Sequence, residues 1–110
     1  MLREFFLGFI HIHILHHATQ APLYGAAMMA ELRRHGYEIS PGTLYPLLHS
    51  LEEQGYLLSS RHVVGSRVRK YYVATEAGKQ ALAEMLPRLR ELVDEVLEGR
   101  GPTALPDPLE

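Results

Sequence analysis

Apolar residues between positions 40 and 55 recur with the period of an α-helix. They are Leu44, Leu47, Leu48 and Leu51, spaced i, i+3, i+4 and i+7. This spacing predicts a short helix with one apolar face directed at a core. Ser40 suits the N-cap, where its hydroxyl would accept from a backbone N–H, and Pro41 suits the first helical position. Gly55 suits the left-handed residue that follows a helix, so both ends are marked.

The opposite face of this helix is small and polar, and a basic hairpin follows it. The face carries Gly42, Thr43, Tyr45, Pro46, His49 and Glu53. Strands are predicted over 57–63 and 68–74, joined by 64–67 with Gly65 available for a positive φ. Small and hydroxyl residues at the start of a helix, followed by a positive hairpin, predict a DNA recognition helix and its wing.

Two helices are predicted before the recognition helix. Residues 2–18 are apolar on almost every side of a helix, which indicates burial on every side. In so small a domain, that burial implies that a second chain covers this helix. The other helix is predicted from Leu23 to His35, ended by Gly36.

A long helix is predicted after the hairpin, over residues 76–98. Thr75 suits its N-cap, Gly99 suits its end, and the interior Pro87 is expected to kink it. Its apolar positions alternate at three- and four-residue spacings, as in a short coiled coil. We expect a homodimer through the first and last helices, whose interface includes Phe5, Phe9, Leu82, Leu86, Leu89, Val93 and Val96. Two recognition helices would then lie roughly 34 Å apart and bind a pseudo-palindrome.

Composition narrows the class of protein. The chain has 110 residues, a net charge of −2, no cysteine and no apolar run that could span a bilayer. Disulfides and thiolate metal sites are therefore excluded, and with no signal peptide recognised we expect a bacterial cytoplasmic protein without a membrane partner. The charged residues of the hairpin are all basic: Arg61, Arg67, Arg69 and Lys70. Such a hairpin on an acidic body would orient the protein on DNA without strong non-specific binding.

These elements predict a mainly α fold with a small β-hairpin wing, divided into three segments. Residues 1–75 would form a winged helix-turn-helix DNA-binding domain that includes the N-terminal helix. Residues 76–98 would form the dimerisation helix. Residues 99–110 contain three prolines in an aperiodic stretch, and we expect a disordered tail.

Several motifs resemble the PadR family of winged-helix transcriptional regulators. They are Leu23-Tyr24-Gly25, Ser40-Pro41-Gly42-Thr43-Leu44-Tyr45-Pro46-Leu47-Leu48, Leu51-Glu52-Glu53-Gln54-Gly55, Arg69-Lys70-Tyr71-Tyr72 and Thr75-Glu76-Ala77-Gly78. The resemblance covers residues 5–98, and the single helix after the wing is similar to the short members of the family. It implies a winged helix-turn-helix fold and a DNA interface that includes Pro41, Gly42, Thr43 and Tyr45.

The candidate DNA-binding residues lie on the recognition helix, the helix before it and the hairpin. They are Tyr24, Ser40, Pro41, Gly42, Thr43, Tyr45, His49, Arg61, Arg67, Arg69 and Lys70. The exposed helix face offers neither Arg nor Asn for bidentate base contacts, so we expect sparse direct readout with a contribution from DNA shape. The hairpin cations would bind phosphate or the minor groove; the alternative is an ordinary solvated face.

Four histidines cluster in the first helix: His11, His13, His16 and His17. His13 and His17 are one turn apart on one face, a spacing at which two imidazoles can share a metal ion, and His16 is on a neighbouring face. We take His13, His16 and His17 as candidate ligands for Zn²⁺ or a similar ion acting as an effector, with no cofactor required. Further ligands would come from elsewhere in the chain or from the partner chain. The alternative is a set of interfacial or core histidines hydrogen-bonded to backbone.

The predicted function is a sequence-specific dimeric repressor released by a small effector, either an organic ligand or a metal ion. The resemblance implies phenolic acids or flat hydrophobic drugs, which some short relatives bind against a tryptophan that this chain lacks. The sequence has no phosphate loop, nucleophile elbow or paired-carboxylate motif, so we expect no enzyme activity. Two alternatives are a metal-binding sensor or buffer protein built on the histidines, and a winged-helix adaptor for other proteins.

Overall fold

A computed structural model describes residues 2–99, and these residues form four helices and one antiparallel hairpin. The elements are α1 (Leu2–Gln20), α2 (Gly25–Arg34), α3 (Pro41–Glu53), β1 (Leu57–Val64), β2 (Arg67–Ala74) and α4 (Glu76–Val96). The predicted mainly α fold with a β-hairpin wing is confirmed. The predicted disordered tail, apart from Gly99, lies outside the described residues. No helix within residues 2–99 has the length and apolar content that crossing a bilayer requires.

The core forms where α3 packs against α1 and α2. Leu44 and Leu48 of α3 are fully buried, and they join Ile14 of α1 and Leu32 of α2 in one apolar cluster. Each such leucine stabilises the fold by about 1.5–3 kcal/mol relative to an exposed side chain. The buried face of α3 follows its sequence period, so its opposite face is left to solvent.

The hairpin is joined to the helical body through Leu23. This residue was predicted to begin the second helix, but it forms an isolated bridge with Tyr72, and that prediction is wrong. The two backbone N–H groups donate to the opposing carbonyls at 2.9 and 2.7 Å. A backbone engaged in this pairing cannot also begin a helix, so α2 starts at Gly25. Tyr72 is 1% exposed and faces the core, so this side chain marks the inward face of β2.

Both ends of α3 lie where the sequence placed them, although one cap differs in its chemistry. Ser40 is the N-cap residue, but its side chain caps no N–H, contrary to the prediction. Its hydroxyl lies 3.4 Å from that of Thr43, and its backbone carbonyl accepts from the N–H groups of Thr43 and Leu44. At the other end Gly55 has a φ of +85°. The N–H of Gly55 donates to the backbone carbonyl of Glu52, and the N–H of Tyr56 donates to that of Leu51. These two hydrogen bonds form a Schellman motif.

The start of α4 is fixed to the end of α3. The Thr75 hydroxyl accepts from the N–H of Gly78 at 3.0 Å, so the predicted cap is confirmed, and it also donates to the carbonyl of Gly55. Gly78 lies so close to the backbone of Tyr56 that a side chain would overlap it. The first turn of α4 is therefore positioned by backbone contacts.

The remainder of α4 extends away from this anchor. Leu82, expected in the subunit interface, is 8% exposed and packs in the core of its own chain. Most of the apolar residues that follow it are exposed, among them Leu86, Leu92, Val93 and Val96. Pro87 lies inside the helix.

Candidate nucleic-acid interface

The predicted recognition helix, α3, presents the N-terminal part of its polar face to solvent. Gly42, Tyr45 and His49 are exposed and Thr43 is half-buried. Pro46 has no N–H to donate to the carbonyl of Gly42 four residues earlier, so this carbonyl lies on the exposed face without the usual helical donor. The predicted helix contacts therefore lie on one accessible surface, which offers hydroxyl, imidazole and backbone groups.

Tyr45 is held in place by α2. A Cβ atom added to Gly25 would lie 2.6 and 2.7 Å from the ring atoms Cζ and Cε1 of Tyr45, closer than any side-chain contact allows. The ring therefore occupies the position that a side chain at Gly25 would need, while Tyr45 as a whole stays 41% exposed. The phenol is presented at the surface from a defined position.

Tyr24 and Arg69 connect α2 to the wing. The guanidinium carbon of Arg69 lies 4.0 Å from the centre of the Tyr24 ring, in a cation–π arrangement. Tyr24 also meets Tyr71 edge to face, with 5.5 Å between ring centres. Arg69 donates a hydrogen bond to the Tyr71 hydroxyl at 3.5 Å, and this bond raises the pKa of Arg69. Tyr24 and Arg69, both predicted DNA contacts, thus form one aromatic–cation stack.

A cleft of about 320 Å³ separates this stack from α3, and we call it the basic cleft. It is lined by Tyr24, Gly25, Ala26, Tyr45, Arg67, Val68, Arg69, Lys70 and Tyr72. The first turn of α2 borders it, and Tyr24, the N-cap residue, makes no side-chain cap there. The unpaired N–H groups of a helix N-terminus and the two guanidinium groups both favour an anion at this place.

The hairpin presents its cations on two faces. In the β1–β2 pairing, Arg61 is opposite Lys70, whereas Arg67 and Arg69 alternate with them on the other face. Within residues 2–99, Lys70 is the one hairpin cation with an ion pair, 3.8 Å from Glu52. The Arg61 and Arg67 side chains are exposed. Arg61 and Arg67 therefore keep their side chains available for a partner, while Arg69 has no acidic partner within residues 2–99 but stacks on Tyr24.

Glu52 ties α3 to the wing. Its carboxylate accepts from the N–H of Ser59 at 2.9 Å and from the Ser59 hydroxyl, and the hydroxyl hydrogen bond is the main reason for its lowered pKa. Nothing in the sequence motif pointed to this role. Glu52 was recognised as part of a family motif, but its partner lies in a different element.

The histidine cluster of α1 is only partly as predicted. His13 and His17 converge, but the third histidine beside them is His35, the C-cap residue of α2, rather than His16. His16 is exposed on its own face of α1. Sequence spacing could not find His35, because the contact depends on how α1 and α2 pack.

Known proteins resemble this chain in sequence and in fold. Residues 14–84 match the Transcriptional regulator PadR-like family. The transcriptional regulator Rv3488 of Mycobacterium tuberculosis is 50% identical over 103 residues, covering 94% of this chain and 96% of that protein. A PadR family transcriptional regulator from Eggerthella lenta is similar in structure, with a TM-score of 0.77, 37% identity, and coverage of 89% of this chain and 87% of that one. A PadR-like transcription factor from Bacteroides fragilis has a TM-score of 0.76 at 25% identity, covering 89% and 96%.

Proposed function

This chain belongs to the PadR-like family of transcriptional regulators, and we propose that it is a dimeric repressor that binds a pseudo-palindromic operator. Membership confirms the resemblance predicted from the sequence motifs. It also confirms that the chain is a regulator rather than an enzyme. The single observation that carries the DNA-binding proposal is the basic cleft beside the exposed start of α3.

In the proposed complex, α3 enters the major groove with its N-terminal part foremost. Thr43 and Tyr45 then face base edges or the adjacent backbone, and His49 lies one turn further along. A phosphate in the basic cleft would accept hydrogen bonds from Arg67 and from the first turn of α2. Arg61, on the other face of the hairpin, is left for a second phosphate or for the minor groove.

Sequence selectivity in this arrangement is shared with DNA shape. The exposed face of α3 carries no Arg or Asn, the side chains best suited to bidentate contacts with guanine or adenine. Selectivity would therefore come from a few hydroxyl and imidazole contacts, together with the groove width that the wing requires.

A second copy of the chain is the proposed partner for the exposed apolar surface of α1 and α4. Phe5 and Phe9 are 61% and 45% exposed at one end of α1, and Val93 and Val96 are exposed in the distal half of α4. Large side chains of this kind concentrated on two helices are typical of an obligate subunit interface. Leu89, partly buried in the single chain, continues the same seam.

An effector would act by changing the spacing of the two recognition helices. An organic ligand would fit a groove of about 790 Å³ between α1 and the turn before α3, with Phe6, Ile10, Tyr37 and Ile39 among its lining. Arg3 and Glu38 both line it, so the groove offers one cation and one carboxylate to an occupant. Thr43 also lines it, so an occupant would touch the start of α3.

The proposal is tested by fluorescence anisotropy on a duplex from the upstream region of the gene, measured across a salt series. We expect tight binding that falls steeply with salt, and a slope reduced by about 0.9 for each phosphate contact removed in Arg67→Gln. Arg88→Gln is the matched control, because Arg88 is exposed on α4, away from the cleft.

Two results would reject the proposal. Wild-type binding that is weak, shows no preference over scrambled DNA and is unchanged by Arg67→Gln at every salt concentration would favour the protein adaptor. Metal binding without any salt-dependent DNA binding, on the upstream duplex or on pooled genomic fragments, would favour the metal-buffer alternative.

A further inference from the structure

Three imidazole rings from two helices converge beside the start of the turn that leads to α3. Candidate ligand atoms of His13, His17 and His35 all lie within 4.8 Å of one another. The His13 and His35 rings stack with 4.8 Å between their centres, and those of His13 and His17 with 6.4 Å. α1 supplies two rings one turn apart, and the end of α2 supplies the third.

The carboxylate of Glu31 lies beside the rings of His17 and His35. Oε1 of Glu31 lies 3.0 Å from Nε2 of His35 and 3.7 Å from Nε2 of His17. Arg34 donates to the same oxygen at 3.1 Å and holds the carboxylate in place. Glu31 therefore lies beside two of the three rings, where a side-chain rotation would bring its carboxylate to the same ion.

We propose that His13, His17, His35 and Glu31 form a site for one Zn²⁺ or chemically similar divalent ion in each chain. Zn²⁺ favours four nitrogen or oxygen ligands in a tetrahedron, with bonds of about 2.0–2.2 Å and hence about 3.4 Å between ligand atoms. The histidine ligand atoms, at up to 4.8 Å from one another, would move closer together when an ion binds. We call this group the His₃Glu site.

The pKa values of His13 and His17 are both lowered. Burial lowers the pKa of His13, and the neighbouring His35 and His17 lower it further. Burial likewise lowers the pKa of His17, against the opposing effect of Glu31. Neutral imidazole is the form that coordinates metal ions.

The three histidine side chains are more exposed than ordinary core residues. His35 is exposed and His13 and His17 are only half-buried, so an ion can reach the site from solvent. Tyr37 covers one side, and its ring meets that of His13 edge to face with 5.6 Å between the ring centres. Exposed His16 lies outside the group of three, although its ring meets that of His17 with 5.1 Å between centres.

The position of the His₃Glu site gives it a route to the DNA-binding surface. His35 ends α2, Gly36 follows with a φ of +87°, and the turn reaches Ser40 at the start of α3. An ion bound here would tie α1, the proposed dimer helix, to the end of α2. We expect it to weaken operator binding by altering the spacing of the two α3 helices; this second step rests on the proposed function, whereas the site itself does not.

The site is tested on the full chain without a histidine tag, by competition for Zn²⁺ with a chromogenic chelator. We expect one ion per chain, and tetrahedral absorption bands when Co²⁺ replaces Zn²⁺. His17→Gln and His35→Gln should each weaken binding by more than the 10–100-fold that an outer-shell change costs, since each removes a direct ligand. His16→Gln is the matched control and should remain within about twofold of wild type. Circular dichroism shows whether each variant is folded.

The proposal is overturned if wild type and His35→Gln bind Zn²⁺ equally weakly, or if His16→Gln loses as much affinity as His35→Gln. The regulatory step is tested separately, by operator anisotropy with Zn²⁺ and with chelator. Operator binding that is unchanged by Zn²⁺ in a protein proven to bind it removes the coupling and leaves the site. A chelated protein that fails to bind operator contradicts the proposed function instead.

Discussion

The phenol ring of Tyr45 lies against Gly25, in the space where any larger residue would place its side chain. One residue belongs to the recognition helix and the other opens the helix before it. Even a methyl group at position 25 would overlap this ring. The residues that positions 25 and 45 can hold therefore depend on each other, although they are twenty residues apart in the chain. The requirement for glycine here is one of space rather than of backbone conformation.

Gly25→Ala should therefore move Tyr45 and weaken both stability and DNA binding. We expect a loss of about 1–3 kcal/mol in the free energy of unfolding, the usual cost of overpacking, and a clear loss of operator affinity. The measurement is a double-mutant cycle in chemical denaturation. In a Tyr45→Ala background the same Gly25→Ala change should cost little, because the ring is gone. Equal costs in both backgrounds would show that the contact has no energetic role.

Gly78→Ala should be more damaging than an ordinary substitution in a helix. The added methyl group would overlap the carbonyl of Tyr56, which is backbone and cannot rotate away as a side chain can. In a helix, Gly→Ala normally stabilises by up to about 1 kcal/mol, so a destabilised variant would reverse the usual sign. Thermal unfolding followed by circular dichroism measures the difference. Gly8→Ala in α1, with no atom within 4 Å of the added Cβ, is the control for the usual sign.

The contribution of Glu52 should depend on pH. Its pKa is lowered from the usual value of 4.5, chiefly by the Ser59 hydroxyl, so its stabilising effect is present above that value. The effect is lost as pH falls through the lower pKa of the folded state. At pH 7 we expect Glu52→Gln to reduce the free energy of unfolding by about 1 kcal/mol.

Denaturation of wild type and Glu52→Gln at several pH values down to about 3 tests this expectation. The difference between the two proteins should shrink as pH decreases. Glu53→Gln, on the exposed neighbouring residue, should show a smaller difference at pH 7. A Glu52→Gln difference that stays constant across the whole range would mean that the charge of Glu52 does not stabilise the wing.

A charge in the apolar surface of α4 should separate the proposed dimer. Val93→Asp places a carboxylate at the centre of the expected interface, where it would have to lose its hydration. We expect monomers by light scattering at concentrations where the wild type is dimeric, together with weaker operator binding. Arg88→Asp, on the polar side of α4, should remain dimeric. A wild-type protein that is monomeric at high concentration would contradict the dimer itself.

The sequence by itself determined the features that depend on residues close together in the chain. The leucine period of α3, Gly55 after its end and Thr75 at the start of α4 depend on neighbours within a few residues, and all three are as predicted. Gly65 in the hairpin turn belongs to the same class, with a φ of +63°. Family membership was equally accessible, because the motif at the start of α3 is continuous in the chain.

Only the tertiary structure decided which distant residues meet. Leu23 belongs to the helical stretch by its apolar pattern, yet its backbone pairs with Tyr72, almost fifty residues later. His35 joins His13 and His17 because α1 and α2 pack against each other at one angle, and no spacing along the chain records that angle. Periodicity is a property of one element viewed alone, whereas these contacts depend on the relative placement of two.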